Sequence, residues 1–259
     1  IQPRPGLQER LRRLGPIGAA LAYLIGKLKF LGLALKFALP VLKTGGTMLA
    51  SIWVYAHLFL FGWWFAVGLV LCVLAHEMGH VYVAWRMGVP VTAPIFIPGF
   101  GALILQKRQA RSAWDEALIG IGGPVAGTLA GLFCLLWYHQ TGSRLMLGLA
   151  GIGFFINLFN LAPIFPLDGG WITGAISPRL WLLGIAGMIV AFATGFVHNP
   201  MIILLIILSA PRVWRGLKTG DVTPHGGAPV TADQRITMGL AYVGLCGLLV
   251  WLMNLTHFS

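Results

Sequence analysis

"VLAHEMGHVYVAW", residues 73–85, sets two histidines and a glutamate inside an apolar run. The run is long. From Gly45 to Trp85 there is no Lys or Arg, and Glu77 is its only acid. At about 1.5 Å per residue a single helix over this stretch would reach about 60 Å, twice the roughly 30 Å thickness of bilayer hydrocarbon. The run therefore reads as two spans that turn near Phe61, Gly62 and Trp63, where the tryptophans fit an interfacial belt.

The rest of the chain agrees. Of 259 residues, 58% are hydrophobic and only 10% charged, against about 25% charged in an average soluble domain. So few polar residues cannot cover so large an apolar content, so lipid must solvate much of it. The expected fold is an all-α, polytopic membrane protein of about six to seven transmembrane helices. Further spans are expected at about 117–138, 145–176, 179–197, 200–212 and 236–255. The stretch 145–176 is too long for one straight helix, and Pro163, Pro166 and Gly169-Gly170 should break it. Gly123, Gly127 and Gly131, four apart, read as a packing face for another helix.

The net charge of +11 would raise nucleic acid as a partner in a soluble protein. Here it fits basic loops gathered on one side of a membrane, and no soluble basic domain is present to bind nucleic acid. With the N-terminus cytoplasmic and seven spans, every Lys and Arg except Arg144 faces the cytoplasm; with 45–85 as a single span the bias vanishes. The charge pattern thus selects two spans there. It fits a bacterial cell membrane, and an organelle membrane fits it too. Residues 1–43 form a basic N-terminal segment. Lys29, Lys36 and Lys43 are seven apart and share a helix face, so an interfacial amphipathic helix is expected, with a first span or re-entrant hairpin as the alternative. Residues 44–259 form the membrane domain: a catalytic core of about 62–176, then C-terminal spans over about 179–255. Connections 87–116 and 213–235 are too short for an appended domain of ordinary size. Cys72, Cys134 and Cys246 lie in apolar runs without CxxC spacing and read as buried small side chains.

Only two of the seven acids, Glu77 and Asp168, fall within spans. An ionisable group in the bilayer costs at least about 2.5–3.5 kcal/mol, so it is paired or functional. His76-Glu77-Met78-Gly79-His80 is an HExxH pattern. Residues four apart share a helix face, so both imidazoles can reach one cation while Glu77 stands beside them as a base. Zinc held by three protein ligands keeps a fourth position for water and lowers its pKa to about 7. The alternative is a buried polar triad, which leaves three costly groups at ligand spacing unexplained. For a third ligand, the downstream glutamate Glu116 and the histidines His139, His198, His225 and His257 lie at span ends or in loops. Asp168 alone is acidic and inside a membrane segment. Taken by itself Asp168 would read as a helix N-cap for residues 171–176; beside HExxH it reads as a ligand. His57 reads as a buried histidine or a group orienting a ligand, and Asn157 as an interhelical hydrogen bonder.

The stretch NLAPIFPLDGG (residues 160–170) together with HEMGH resembles the site-2 protease family of intramembrane zinc metalloproteases. Its pattern is HExxH on one span and N-x-x-P-x-x-P-x-D-G on a later one, and every fixed position is matched here. The resemblance covers about residues 62–176 and centres on a three-span catalytic core. It implies one Zn²⁺ per chain held by His76, His80 and Asp168, Glu77 as catalytic base, and Asn160 holding substrate or a developing oxyanion. Pro163, Pro166 and Gly169 would shape the site. Gly122-Gly123-Pro124 resembles the family's glycine-proline signature, and PIFIPGFGALILQK (94–107) its membrane-associated strand, whose edge could pair with an extended substrate. An interfacial loop is the plainer reading of that segment. The chain looks like a compact form without peptide-binding or nucleotide-sensing insertions. Backbone freed by Pro163 and Pro166 is tolerated at membrane depth only inside protein or beside wet space, so a hydrated cavity near Asp168 is expected. The implied function is intramembrane hydrolysis of single-span membrane proteins. A metal-ion or proton transporter would need a polar path through the non-cytoplasmic half, which offers little beyond His57 and Asn157. A non-catalytic scaffold would not need the complete ligand and base set.

Overall fold

The computed structural model describes residues 42–57, 62–99, 101–108, 110–195, 201–219 and 228–257. Contacts divide the chain into two units, Ile1–Gly46 and Thr47–Ser259. Of the first, residues 42–46 alone are described, as the opening of a helix; the amphipathic segment expected over 14–43 lies outside the described residues apart from Leu42 and Lys43. The architecture below belongs to the second unit.

Helix α1 covers residues 42–57. Helix α2, Trp63–Arg86, carries HEMGH and begins after Gly62, whose φ of 76° lies in the left-handed region that favours glycine. The chain therefore restarts its helix where the two-span reading placed the turn. Strands β1 (Ile95–Ile97) and β2 (Gly101–Leu103) follow, then α3 (Ala113–Thr141), α4 (Arg144–Asn160), α5 (Asp168–Ile176), α6 (Leu180–Ala193), α7 (Met201–Thr219) and α8 (Ala232–His257).

Three of the described helices, α2, α3 and α8, are long and apolar enough to cross a membrane, and α4 and α6 are shorter apolar helices. At 1.5 Å per residue, the 24 residues of α2 cover about 36 Å, enough for the hydrocarbon layer. Helix α3 is apolar on both sides: it buries Gly123, Gly127 and Gly131 and exposes Leu129, Phe133 and Leu136. A helix apolar all round needs lipid or protein on every face.

Several boundaries differ from the expectation, each for a local reason. Helix α3 starts four residues before 117 because the Ser112 hydroxyl accepts from the Asp115 amide at 3.1 Å, and Asp115 and Glu116 occupy the positive end of the helix. Helix α7 runs through Pro211 to Thr219 rather than ending near 212. The break in 145–176 falls at residues 161–167, around Pro163 and Pro166. Gly169 and Gly170, expected to help make it, lie inside α5 instead. They are small because α5 folds back onto the break: a Cβ on Gly169 would strike the Leu161 carbonyl, and one on Gly170 the backbone of Ile164.

The membrane-associated strand expected over 94–107 is an antiparallel hairpin. Ile95 pairs with Leu103, Phe96 with Ala102 and Ile97 with Gly101, with a further bridge between Val91 and Gln106. The turn-forming Gly99, at φ 84°, reverses the chain. Phe96 is buried against Val70 and Val73 of α2, with Met48, Ile52 and Tyr55 of α1 around it, and its amide donates to Thr47 Oγ1 at 3.2 Å. The hairpin is thereby anchored one to two turns before His76.

The core is built by α2, α3 and α4. Helices α2 and α3 meet backbone to backbone at Gly79 and Gly122, where a Cβ on the first would strike the carbonyl of the second. Phe154, Leu161 and Ile172 fill the main cluster, to which α8 adds Met238, Leu249 and Leu252.

Candidate metal centre

Helix α2 carries His76 and His80 one turn apart, and α5 brings Asp168 to them from the far side of the proline break. All three are within reach of one ion: their donor atoms lie within 4.8 Å of one another. His76 Nε2 is 3.1 Å from His80 Nε2 and 3.1 Å from Asp168 Oδ2, and His80 Nε2 is 3.3 Å from Asp168 Oδ1. His76, Glu77 and His80 are buried.

The donor set fits a metal ion. His80 Nδ1 lies 2.7 Å from the Ile119 carbonyl oxygen. A carbonyl only accepts, so in neutral His80 Nδ1 holds the proton and Nε2 presents its lone pair. His76 Nδ1 is likewise engaged, 2.8 Å from Asn157 Oδ1. Asp168 Oδ2 is fully buried yet accepts no hydrogen bond, although His76 Nε2 is 3.1 Å away. Lone pairs that converge in a buried site repel unless a cation or protons lie among them. Two imidazoles and one carboxylate, each backed or shaped by protein, are a zinc ligand set.

Asp168 does not cap α5. Leu167 holds the N-cap position and no side chain caps the helix; Asp168 is its first residue, with the carboxylate turned to the histidines. Three long-range contacts brace its segment. Tyr242 of α8 donates its hydroxyl to the Leu161 carbonyl at 2.6 Å, Trp181 Nε1 donates to the Gly170 carbonyl at 2.8 Å, and Arg235 donates to the Ile176 carbonyl at 2.6 Å. Within the break, the Ile164 amide donates to the Ala162 carbonyl and the Leu167 amide to the Ile164 carbonyl. These bonds pair the Leu161, Ala162, Ile164, Gly170 and Ile176 carbonyls within the protein.

The glycines of α3 make room for the site itself. A Cβ on Gly123 would fall on His80 Nε2, and one on Gly127 on the Asn157 amide. Their four-residue spacing read as packing: Gly123 packs against His80, Gly127 against Asn157 and Gly131 against the Phe154 ring.

Glu77 is buried, and its side chain hydrogen-bonds to no residue among those described. Asn160 ends α4 half-buried, also without a side-chain hydrogen bond among the described residues. Pro163 lies against α6, where a Cβ on Gly184 would strike its carbonyl. His57 is exposed, not buried, with Nδ1 2.9 Å from the Trp53 carbonyl oxygen and its ring stacked on Trp53. Glu116, read from sequence only as a helix-end acid, is buried and paired with Arg212 of α7 at 2.7 Å. The Arg212 guanidinium also lies 4.1 Å from the Trp171 ring centroid and 4.7 Å from that of Phe165.

Residues 64–142, which hold HEMGH and Gly122-Gly123-Pro124, match the model of peptidase family M50. This part of the chain is similar to peptidase family M50. This is the site-2 protease family that the motifs resembled. The chain is 24% identical over 196 residues to the zinc metalloprotease MJ0392 of Methanocaldococcus jannaschii, covering 65% of this chain and 57% of that protein. It is 32% identical over 111 residues to the putative zinc metalloprotease sll0528 of Synechocystis sp., covering 40% of this chain and 29% of that protein. It is 33% identical over 113 residues to the putative zinc metalloprotease Rip3 of Mycobacterium tuberculosis, covering 40% and 28%. The chain thus spans little more than half of the first relative and under a third of the others. The match to M50 over residues 64–142 and three apolar helices of spanning length point to an integral membrane protein. A zinc cofactor fits both the M50 family and the His76, His80 and Asp168 group.

Proposed function

We propose that this protein is an intramembrane zinc metalloendopeptidase that hydrolyses peptide bonds of single-span membrane proteins. The observation that carries the reading is the meeting of His76, His80 and Asp168 from two separate segments, with Glu77 beside them on a helix apolar enough to cross a membrane. In this reading His76, His80 and Asp168 hold zinc, one ion per chain. Bound zinc supplies Lewis acidity for the peptide carbonyl and lowers the pKa of water.

The chain's own residues do the rest. Glu77 accepts the proton of the attacking water on its carboxylate and returns it to the departing amine nitrogen. A carboxylate without a hydrogen-bond partner among the described residues suits that exchange. Asn160, at the mouth of the break, offers an amide N–H to the substrate carbonyl or its oxyanion. A transmembrane helix hides its peptide bonds in its own ladder, so the substrate must be extended before attack. The hairpin anchored on α2 supports this step. Thr47 occupies the outer edge of β1 at Phe96, so a substrate strand would add to the edge of β2.

The distribution of Lys and Arg supports an N-terminus and a site opening on the cytoplasmic side, in a bacterial cell membrane. The test is co-expression with candidate single-span proteins, wild type against Glu77→Gln. Fragments should appear with the wild type and vanish with Glu77→Gln, which lowers turnover by at least about a hundredfold while keeping its zinc. Cleavage by Glu77→Gln at the wild-type rate would sink the mechanism.

A further inference from the structure

We infer that Asn157 is a positioning residue: its amide selects the tautomer of His76 and so sets the affinity of the site for zinc. The inference rests on the metal-site reading and extends it to a residue outside the ligand motifs.

The argument begins with the amide's other end. Asn157 Nδ2 donates to the Gly153 carbonyl one turn earlier on α4, at 2.7 Å. A carbonyl can only accept, so the amide cannot be flipped without setting two acceptors against each other. Oδ1 is therefore held towards α2, 2.8 Å from His76 Nδ1. Oδ1 can only accept as well, so Nδ1 of neutral His76 carries the proton. Nε2 is left as a lone pair, facing His80 Nε2 and Asp168 Oδ2 at 3.1 Å each. The polarity of one backbone carbonyl on α4 is thus relayed to the ligand atom on α2.

The surroundings fix this relay in place. Asn157 is 3% exposed, so water does not compete for its amide. Gly127 of α3 leaves the space it occupies, since a Cβ there would collide with both Oδ1 and Nδ2. His80 receives the same service from the Ile119 carbonyl, but a backbone group cannot be replaced by mutation. Asn157 can. Three residues beyond it α4 ends and the break leading to Asp168 begins, so the same turn of helix holds one ligand and launches the segment that bears another.

The test measures Zn²⁺ affinity of the purified full chain in detergent by competition with a chromogenic chelator, and the visible absorption of the Co²⁺-loaded protein. Asn157→Leu keeps the volume and removes the acceptor; it should weaken Zn²⁺ binding about 10- to 100-fold and alter the Co²⁺ spectrum. Asn157→Asp, kept protonated by burial so that its O–H donates to the Gly153 carbonyl, keeps an acceptor towards His76 and should recover most of that loss. Wild-type affinity in Asn157→Leu overturns the inference. So does Asn157→Asp binding as weakly as Asn157→Leu, or both variants failing to fold, since either would assign Asn157 to helix packing. A wild-type chain that binds no zinc would instead refute the metal-site reading beneath it.

Discussion

Gly123 of α3 and His80 of α2 are in face-to-face contact, with the space of the missing Cβ taken up by the imidazole's Nε2. The smallest side chain on one membrane helix is therefore matched to an imidazole nitrogen on another. Backbone-close packing in this core serves to place a nitrogen, not only to join two helices.

Gly123→Ala follows from that contact. The added methyl can be housed only by moving His80 or parting α2 from α3, and overpacking of this kind costs about 1–3 kcal/mol. The expected result is a protein of unchanged helix content by circular dichroism whose zinc content after dialysis falls well below one per chain. Full zinc occupancy would show that the imidazole can sit elsewhere.

Arg212→Ala should be more damaging than its position on α7 implies. It leaves Glu116 buried without its partner, at a cost of about 3–5 kcal/mol, and uncovers the faces of Phe165 and Trp171. Exchanging both members, Arg212→Met with Glu116→Leu, should recover most of the lost thermal stability in detergent. If the double variant melts no higher than the single one, the ring contacts rather than the buried charge carry the effect.

Tyr242→Phe removes one oxygen. It leaves the Leu161 carbonyl unpaired at the end of α4, at a cost of about 1–3 kcal/mol. Since Leu161 opens the break that leads to Asp168, the loss should appear in zinc retention as well as in the melting temperature. A lowered melting temperature with unchanged zinc retention would separate the brace from the site.

Much of the site was legible because its rules are local. Two histidines four apart must share a helix face, Glu77 and Asp168 are conspicuous as acids at membrane depth, and prolines 163 and 166 must interrupt a helix. The structure brings these residues together as that reading required. What could not be read depends on which surfaces meet. No periodicity pairs Asn157 with His76 or Arg212 with Glu116, residues separated by 81 and 96 positions. Gly169 and Gly170 looked like helix breakers because glycine usually is one; their actual constraint is the Leu161–Phe165 backbone folded against them. The strand segment was legible only through its resemblance to the family's strand, with an interfacial loop as the alternative, while the reversal at Gly99 depended on backbone conformation. The buried reading of His57 failed because an apolar neighbourhood in sequence does not tell which side of a helix is covered: its ring is exposed beside Trp53.

The braces on the Asp168 segment come from residues made after it. Trp181, Arg235 and Tyr242 reach back to the carbonyls of Gly170, Ile176 and Leu161, and two of the three lie on α8, the last described helix. During synthesis His76 and His80 enter the membrane first, Asp168 next, and the groups that steady Asp168 last. The Asp168 segment therefore lacks two of its three braces until α8 has been made.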